Sequence, residues 1–277
     1  MSTRAKNVGN KIIKAANGIV NFAALVAVLA LFAFGCYALW DSAQVYNAAN
    51  ALQYEVYRPR VEDEGKSFAE LQAMNPEVFS WLTVYGTNID YPVAQGEDNM
   101  KYVNTNAQGE YSLSGSIFLD SGNANDFSNF NSILYGHHME KQAMFGEIGL
   151  FAEQSYFESR MYGNLYYEGQ NHGLAFFAFL HVDAYDYSVF TPNIQGAASR
   201  QKYLDNLLSK AKFTRSMGIT TSDRILLLST CSSDSTNGRD ILVAKITDER
   251  YDDTFEPAET TANTIHTAVD GQPGIWA

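Results

Sequence analysis

At 277 residues, 46% hydrophobic and 13% aromatic, the chain is long enough for one or two domains and too apolar to stay unfolded. Its formal net charge is −12. An acidic chain with no basic patch interleaved with aromatics is a poor partner for phosphate backbones, which excludes nucleic acid as a ligand.

Residues 1–18 form a basic N-terminus, with Arg4, Lys6, Lys11 and Lys14 and no acid. Residues 19–40, IVNFAALVAVLALFAFGCYALW, hold no charge at all. As a helix they reach about 33 Å, enough to cross a hydrocarbon core of about 30 Å. Tyr37 and Trp40 suit the outer interface, and Asp41 follows. The positive-inside rule keeps the N-terminus in the cytoplasm and exports everything after the span. A cleavable signal peptide and a buried core helix are the alternatives. The apolar run is long for the first, and no A-x-A site leads into a mature start. An uncleaved, single-pass signal anchor in the cell membrane is therefore expected, with an extracellular body.

Residues 41–66 read as a helical stalk and linker. Ser42 to Tyr57 has few breakers and stops near Pro59, because the residue before a proline avoids helix. Val61 to Lys66 is a charged hinge. Ser67 is expected to open a short helix, with Glu70 three residues on to complete a capping box.

Residues 67–247 form the main domain, and from Val78 the texture is β. Trp81–Val84, Ser116–Leu119, Ser132–Tyr135, Leu165–Tyr167 and Leu174–Val182 are rich in β-branched and aromatic residues, bounded by turn formers. Ser199 to Phe213 carries Tyr203, Leu204, Leu207, Leu208 and Ala211 at helical spacing. The last strands are Arg224–Thr230 and Asp240–Ile246. Many short strands with few helices predict a mainly β fold, a closed or nearly closed barrel. Residues 248–277 are acidic and rich in Thr and Ala, and are expected to be a mobile tail.

Two cysteines occur. Cys36 lies in the apolar span, which leaves Cys231 as the one thiol of the exported body. It ends the run Ile225-Leu226-Leu227-Leu228-Ser229-Thr230, just before a Ser- and Asp-rich turn, where a side chain can be both rigid and accessible. A buried structural cysteine is the alternative. Arg239 opens the following strand. If the two strands are neighbours, its guanidinium favours the thiolate and can bind an oxyanion. Otherwise Arg239 is a surface residue paired with Asp240 or Asp234. His137 follows the strand Ser132–Tyr135 and Gly136, and histidine is the usual proton carrier for a thiol nucleophile. His138, on an extended chain, points to the other face. No Cys or carboxylate stands at ligand spacing from this pair, so neither a metal nor another cofactor is expected.

With Leu227-Leu228-Ser229-Thr230-Cys231, Arg239 on the next strand and Tyr135-Gly136-His137, the chain resembles the sortase family. The family's first Thr in Thr-Leu-x-Thr-Cys is Leu227 here. Asn75-Pro76-Glu77-Val78-Phe79-Ser80-Trp81-Leu82, Gly86 to Val93, Asp98-Asn99, Gly115 to Asp120 and the helix before the last strands resemble class B members. The resemblance spans roughly Ser67 to Thr247.

It implies a sortase barrel and a membrane-anchored cysteine transpeptidase of a Gram-positive-type surface. Cys231 would attack the Thr carbonyl of a C-terminal sorting signal, giving a thioacyl-enzyme. His137 would move protons, and Arg239 would hold the signal and its oxyanion. Ser229 and Asn99 would lie near the bound signal, and Asp234 and Asp240 receive no role. The partners implied are surface proteins or pilins bearing the signal, with a peptidoglycan-precursor amine or a pilin lysine as acceptor. A surface cysteine hydrolase or protease, and a non-catalytic pilus or adhesin assembly scaffold, are the competing readings. Arg239 in place of an Asn or Asp orienter argues against a papain-like triad.

Overall fold

The computed structural model describes residues 3–60, 65–231 and 237–255. Most of the hinge expected at 61–66, the turn after Cys231 with Asp234, and the tail from 256 onward lie outside the described residues.

Helix α1 (Thr3–Ala48) contains no proline and runs unbroken through the predicted span into the stalk. Its apolar side chains from Ile12 to Trp40 are exposed, and Cys36 with them. Among the described residues it is the one helix long and apolar enough to cross a membrane. Asn50 then caps a 3-10 segment, Ala51–Tyr57, its side chain accepting from the Leu52 N–H at 3.0 Å. Ala49 and Tyr54 are buried, so the end of the stalk is docked rather than free.

Helix α2 (Lys66–Met74) begins earlier than the expected capping box. Gly65, at φ 76°, occupies the cap position, and Ser67 Oγ donates to the Arg58 carbonyl at 2.8 Å. The hydroxyl is spent on anchoring the chain that enters the helix, not on the helix end.

The strands β1 (Val78–Val84), β2 (Asp90–Ala94), β3 (Ile117–Leu119), β4 (Asn131–Tyr135), β5 (Tyr162–Tyr167), β6 (Gln170–Asp183), β8 (Arg224–Cys231) and β9 (Gly238–Thr247) close on themselves. The order is β5-β1-β2-β3-β4-β8-β9-β6, and β6 pairs back onto β5. Among the described residues only β2–β3 and β4–β8 pair in parallel. The expected closed barrel is the observed fold.

β2 did not stand out in the sequence because it is five residues long and carries Pro92, which strands avoid. The pairing shows how it is tolerated. Pro92 has Trp81 of β1 as its partner, while β3 begins pairing only at Val93.

Leu82, Leu134, Leu226, Leu228, Leu242 and Ala244 belong to the main core. After the short α3 (Gln154–Ser159), helix α4 (Ala197–Lys210) supplies Tyr203, Leu204 and Leu207 to a second cluster that covers Ile133, Ile225, Leu227, Ile241 and Val243. β8 is thus apolar on both faces, which is why its sequence is a continuous rather than an alternating run. Each buried leucine of α4 contributes roughly 1.5–3 kcal/mol to that attachment.

The helix stops at Lys210 instead of continuing to Phe213. Ala211–Thr214 turns extended as β7 and pairs with β6, and Phe213 stacks on Phe157 at 5.7 Å. Ala211 fits the helical spacing by coincidence.

The segment read as a mobile tail from 248 is packed against the barrel as far as Phe255. Tyr251 stacks on Tyr162 at 4.1 Å, and its carbonyl accepts from Tyr85 Oη. Phe255 lies beneath the Arg160 guanidinium, 5.3 Å from the ring centre.

Candidate active site

Three adjacent strands bring the sequence-predicted residues to one rim of the barrel. β4 and β8 run parallel with Tyr135 opposite Ser229, and the ladder continues one step further through the Gly136 N–H to the Ser229 carbonyl. His137 and Cys231 each lie two residues beyond that pair. β9 runs back against β8 with Thr230 opposite Asp240 and Cys231 opposite Arg239. The register therefore gathers His137, Cys231 and Arg239 at corresponding ends of β4, β8 and β9.

A cleft of about 450 Å³ opens at this rim. Asn99, Tyr135, His137, Ser229, Thr230 and Arg239 line it, with Val103, Phe118 and Phe190 supplying apolar wall. Asn99 and Ser229, far apart in sequence, thus share one cavity with His137 and Arg239.

His137 is half-buried, and its Nε2 lies 2.8 Å from the Val103 carbonyl. A carbonyl can only accept, so that nitrogen carries the hydrogen of the neutral ring and Nδ1 is its acceptor. His138 does not line the cleft; its backbone bridges to Met144.

Arg239 Nη1 donates to the Gly238 carbonyl at 2.9 Å. Among the described residues it makes no ion pair. Asp240, one of its two expected partners, is buried and accepts from His181 Nδ1 at 2.8 Å instead. The guanidinium keeps most of its donors for an anionic or carbonyl oxygen in the cleft.

The hydroxyls of Ser229 and Thr230 are buried and have no hydrogen-bond partner among the described residues. A buried unpaired hydroxyl costs on the order of 1–3 kcal/mol. Ser80 and Ser132 carry the same kind of unpaired hydroxyl away from the cleft, while Ser229 and Thr230 belong to residues that line it.

Sequence reasoning missed Asp120, His181 and Val103. Asp120 is buried, and its Oδ2 accepts from both Asn99 Nδ2 and Tyr135 Oη, each at 2.9 Å. Burial first, and then that carboxylate, push the Tyr135 phenol far above its usual value, so it stays a hydrogen-bond donor. Asp120 closes the Gly115 to Asp120 segment of the family resemblance, with no role attached to it there; Val103 lines the cleft, while Asp120 and His181 stand behind it, bonded to Asn99, Tyr135 and Asp240.

No family model matches the chain. Sortase B of Staphylococcus aureus is 32% identical over 184 residues, covering 65% of this chain and 74% of that protein. Among solved structures, sortase B from the type II pilus of Streptococcus pneumoniae is 49% identical with a TM-score of 0.59, covering 66% of this chain and 99% of that one. A Streptococcus pyogenes class B sortase involved in pilus biogenesis is 37% identical with a TM-score of 0.61, covering 66% of this chain and 99% of that one.

Proposed function

The chain belongs to the class B sortase family, and on that premise we propose that it is a membrane-anchored transpeptidase working through Cys231, His137 and Arg239. The observation that carries this is the register pair Cys231–Arg239 on β8 and β9, with His137 at the matching end of β4.

In this reading the Cys231 thiolate attacks the carbonyl carbon of the Thr of a sorting signal. A C–S bond forms and the oxygen becomes an oxyanion, which Arg239 donates to. Collapse breaks the peptide C–N bond, and His137 delivers the proton that the leaving amine requires. An incoming primary amine then attacks the thioester, passes its proton to His137, and releases the thiolate as the new amide forms. The peptide bond spent and the amide made balance, so no cofactor is needed.

The cleft is suited to a peptide in extended form, with Ser229 and Asn99 on its wall. α1 would hold the enzyme beside a membrane-tethered substrate, with the barrel outside the cell, raising the effective concentration of both. The identity to two pilus sortases supports a pilin lysine as acceptor over a peptidoglycan-precursor amine.

The test is full-length protein in detergent micelles with peptides of the Asn-Pro-x-Thr-Asn, Leu-Pro-x-Thr-Gly and Ser-Pro-x-Thr-Gly types and a lysine-bearing acceptor. The expected product joins the fragment ending in Thr to the acceptor amine and disappears with Cys231→Ala. Hydrolysis alone would favour a hydrolase, and no turnover of any peptide would favour a scaffold.

A further inference from the structure

Asp120 directly follows β3 and does not line the cleft, yet it is bonded to two side chains that do. Its Oδ2 accepts from Asn99 Nδ2 and from Tyr135 Oη, and its Oδ1 accepts from the Gly122 N–H at 2.8 Å. Asp120 is 6% exposed, and its carboxylate makes no ion pair among the described residues. Buried without a cation, it is stabilised by hydrogen-bond donors, and it constrains each of them.

Asn99 is pinned at both ends of its amide. Nδ2 faces the carboxylate, while Oδ1 accepts from the Ser121 N–H at 2.7 Å. A flipped amide would set its oxygen against the carboxylate and its NH2 against an N–H, two repulsions in place of two bonds. One N–H of Nδ2 is left over. Tyr135 is pinned likewise: its hydroxyl hydrogen is committed to Asp120, which leaves the phenol oxygen as an acceptor.

We propose that Asp120 is a positioning residue that sets the hydrogen-bond polarity of the cleft, turning Asn99 to donate to a peptide carbonyl and Tyr135 to accept from a peptide N–H or hydroxyl. This rests on the transpeptidase reading above. It assigns a specificity role to a buried residue that does not itself line the cleft, and it gives the two wall residues opposite signs.

Asp120→Asn tests it, because an amide at 120 cannot accept at both oxygen positions at once. Either Gly122 N–H meets an NH2 group, or Asn99 and Tyr135 do. In the full-length protein in micelles, KM for the peptide should rise about tenfold, the loss of one to two oriented bonds, with kcat changed less. Iodoacetamide alkylation of Cys231 should keep its rate, and adding Asn99→Ala to Asp120→Asn should raise KM little further, because the two act as one unit.

An unchanged KM, fully multiplicative effects, or a parallel fall in alkylation rate would each overturn the proposal, the last by making Asp120 a general structural residue. If Asp120→Asn does not fold, ester-containing peptides read the polarity with Asp120 in place. Replacing the critical peptide N–H by ester oxygen should slow the wild type and leave Tyr135→Phe insensitive. If sensitivity is lost instead in Asn99→Ala, the assigned polarity is reversed and the proposal fails. Wild-type protein that cleaves no peptide is a different failure: it removes the transpeptidase reading, and this inference with it.

Discussion

Cys231 and Arg239 are direct partners in the antiparallel ladder between β8 and β9. Seven residues lie between them in sequence, and the backbone register of the two strands sets position 239 opposite position 231. In the proposed mechanism Arg239 meets the charge that develops on the acyl oxygen. Arg239→Lys keeps the charge but loses the planar fork, and kcat/KM should fall about 10²-fold, near 2.7 kcal/mol of transition-state binding. Steady-state kinetics on a peptide substrate check this, and a change under threefold would show that charge alone suffices.

Ser229→Ala should separate stability from binding. The hydroxyl has no partner among the described residues, so its removal leaves the melting temperature unchanged or slightly higher. KM for the peptide should rise roughly threefold to tenfold, since the lost bond is made only to ligand. A lower melting temperature with unchanged KM would place the hydroxyl in the fold, not the cleft function.

Gly115→Ala should damage the site from behind. Gly115 sits at φ 59°, and a Cβ there would lie 2.5 Å from the Tyr102 carbonyl oxygen and 2.6 Å from that of Val103. Val103 is the acceptor that fixes His137. The expected cost is about 2 kcal/mol or more, with kcat reduced as His137 loses its partner. Gly169→Ala is the control, with the same left-handed backbone at φ 76° and nothing within 4 Å. It should lose about 1 kcal/mol and leave kcat intact. Thermal melts and kcat for the pair check the contrast.

Tyr91 joins the stalk to the loop after His137. Its hydroxyl donates to the Ala49 carbonyl at 2.9 Å and accepts from the Met144 N–H at 3.0 Å. Lys141, Gln142 and Met144 all hold positive φ, a conformation that persists only under outside constraint. Tyr91→Phe should therefore cost about 1–3 kcal/mol.

Burial first raises the Tyr91 phenol from 10.0 to about 12. The folded chain then keeps a proton that the unfolded chain releases near pH 10. Stability is complete below pH 10 and is lost between 10 and about 12, at about 1.4 kcal/mol per pH unit from this group. Urea melts across that window should show a shallower fall in Tyr91→Phe than in wild type.

Much of the site was legible because its residues close apolar runs. Ile225–Leu228 before Cys231, and Ser132–Tyr135 before His137, announce strands whose ends carry chemistry. The barrel followed from the number and shortness of such runs. What stayed hidden depends on partners distant in sequence. β2 is masked by Pro92 until its pairing is known. Asp240 reads as a partner for Arg239, until β6 brings His181 beside it. Asp120 is one more acid in an acidic chain until Asn99 and Tyr135 converge on it. The stalk contact through Tyr91 has no signal at all, because it depends on where the helix end docks.

The central claim is a covalent acyl-enzyme on Cys231. Full-length protein mixed with a cleavable sorting-signal peptide, without an amine acceptor, can be acid-quenched and weighed intact, then mapped by peptide mass spectrometry. The account predicts added mass equal to the fragment ending in Thr, carried on Cys231, removed by hydroxylamine and absent in Cys231→Ala. Peptide cleavage that continues in Cys231→Ala, or that proceeds with no adduct on Cys231 at any quench time, would contradict it.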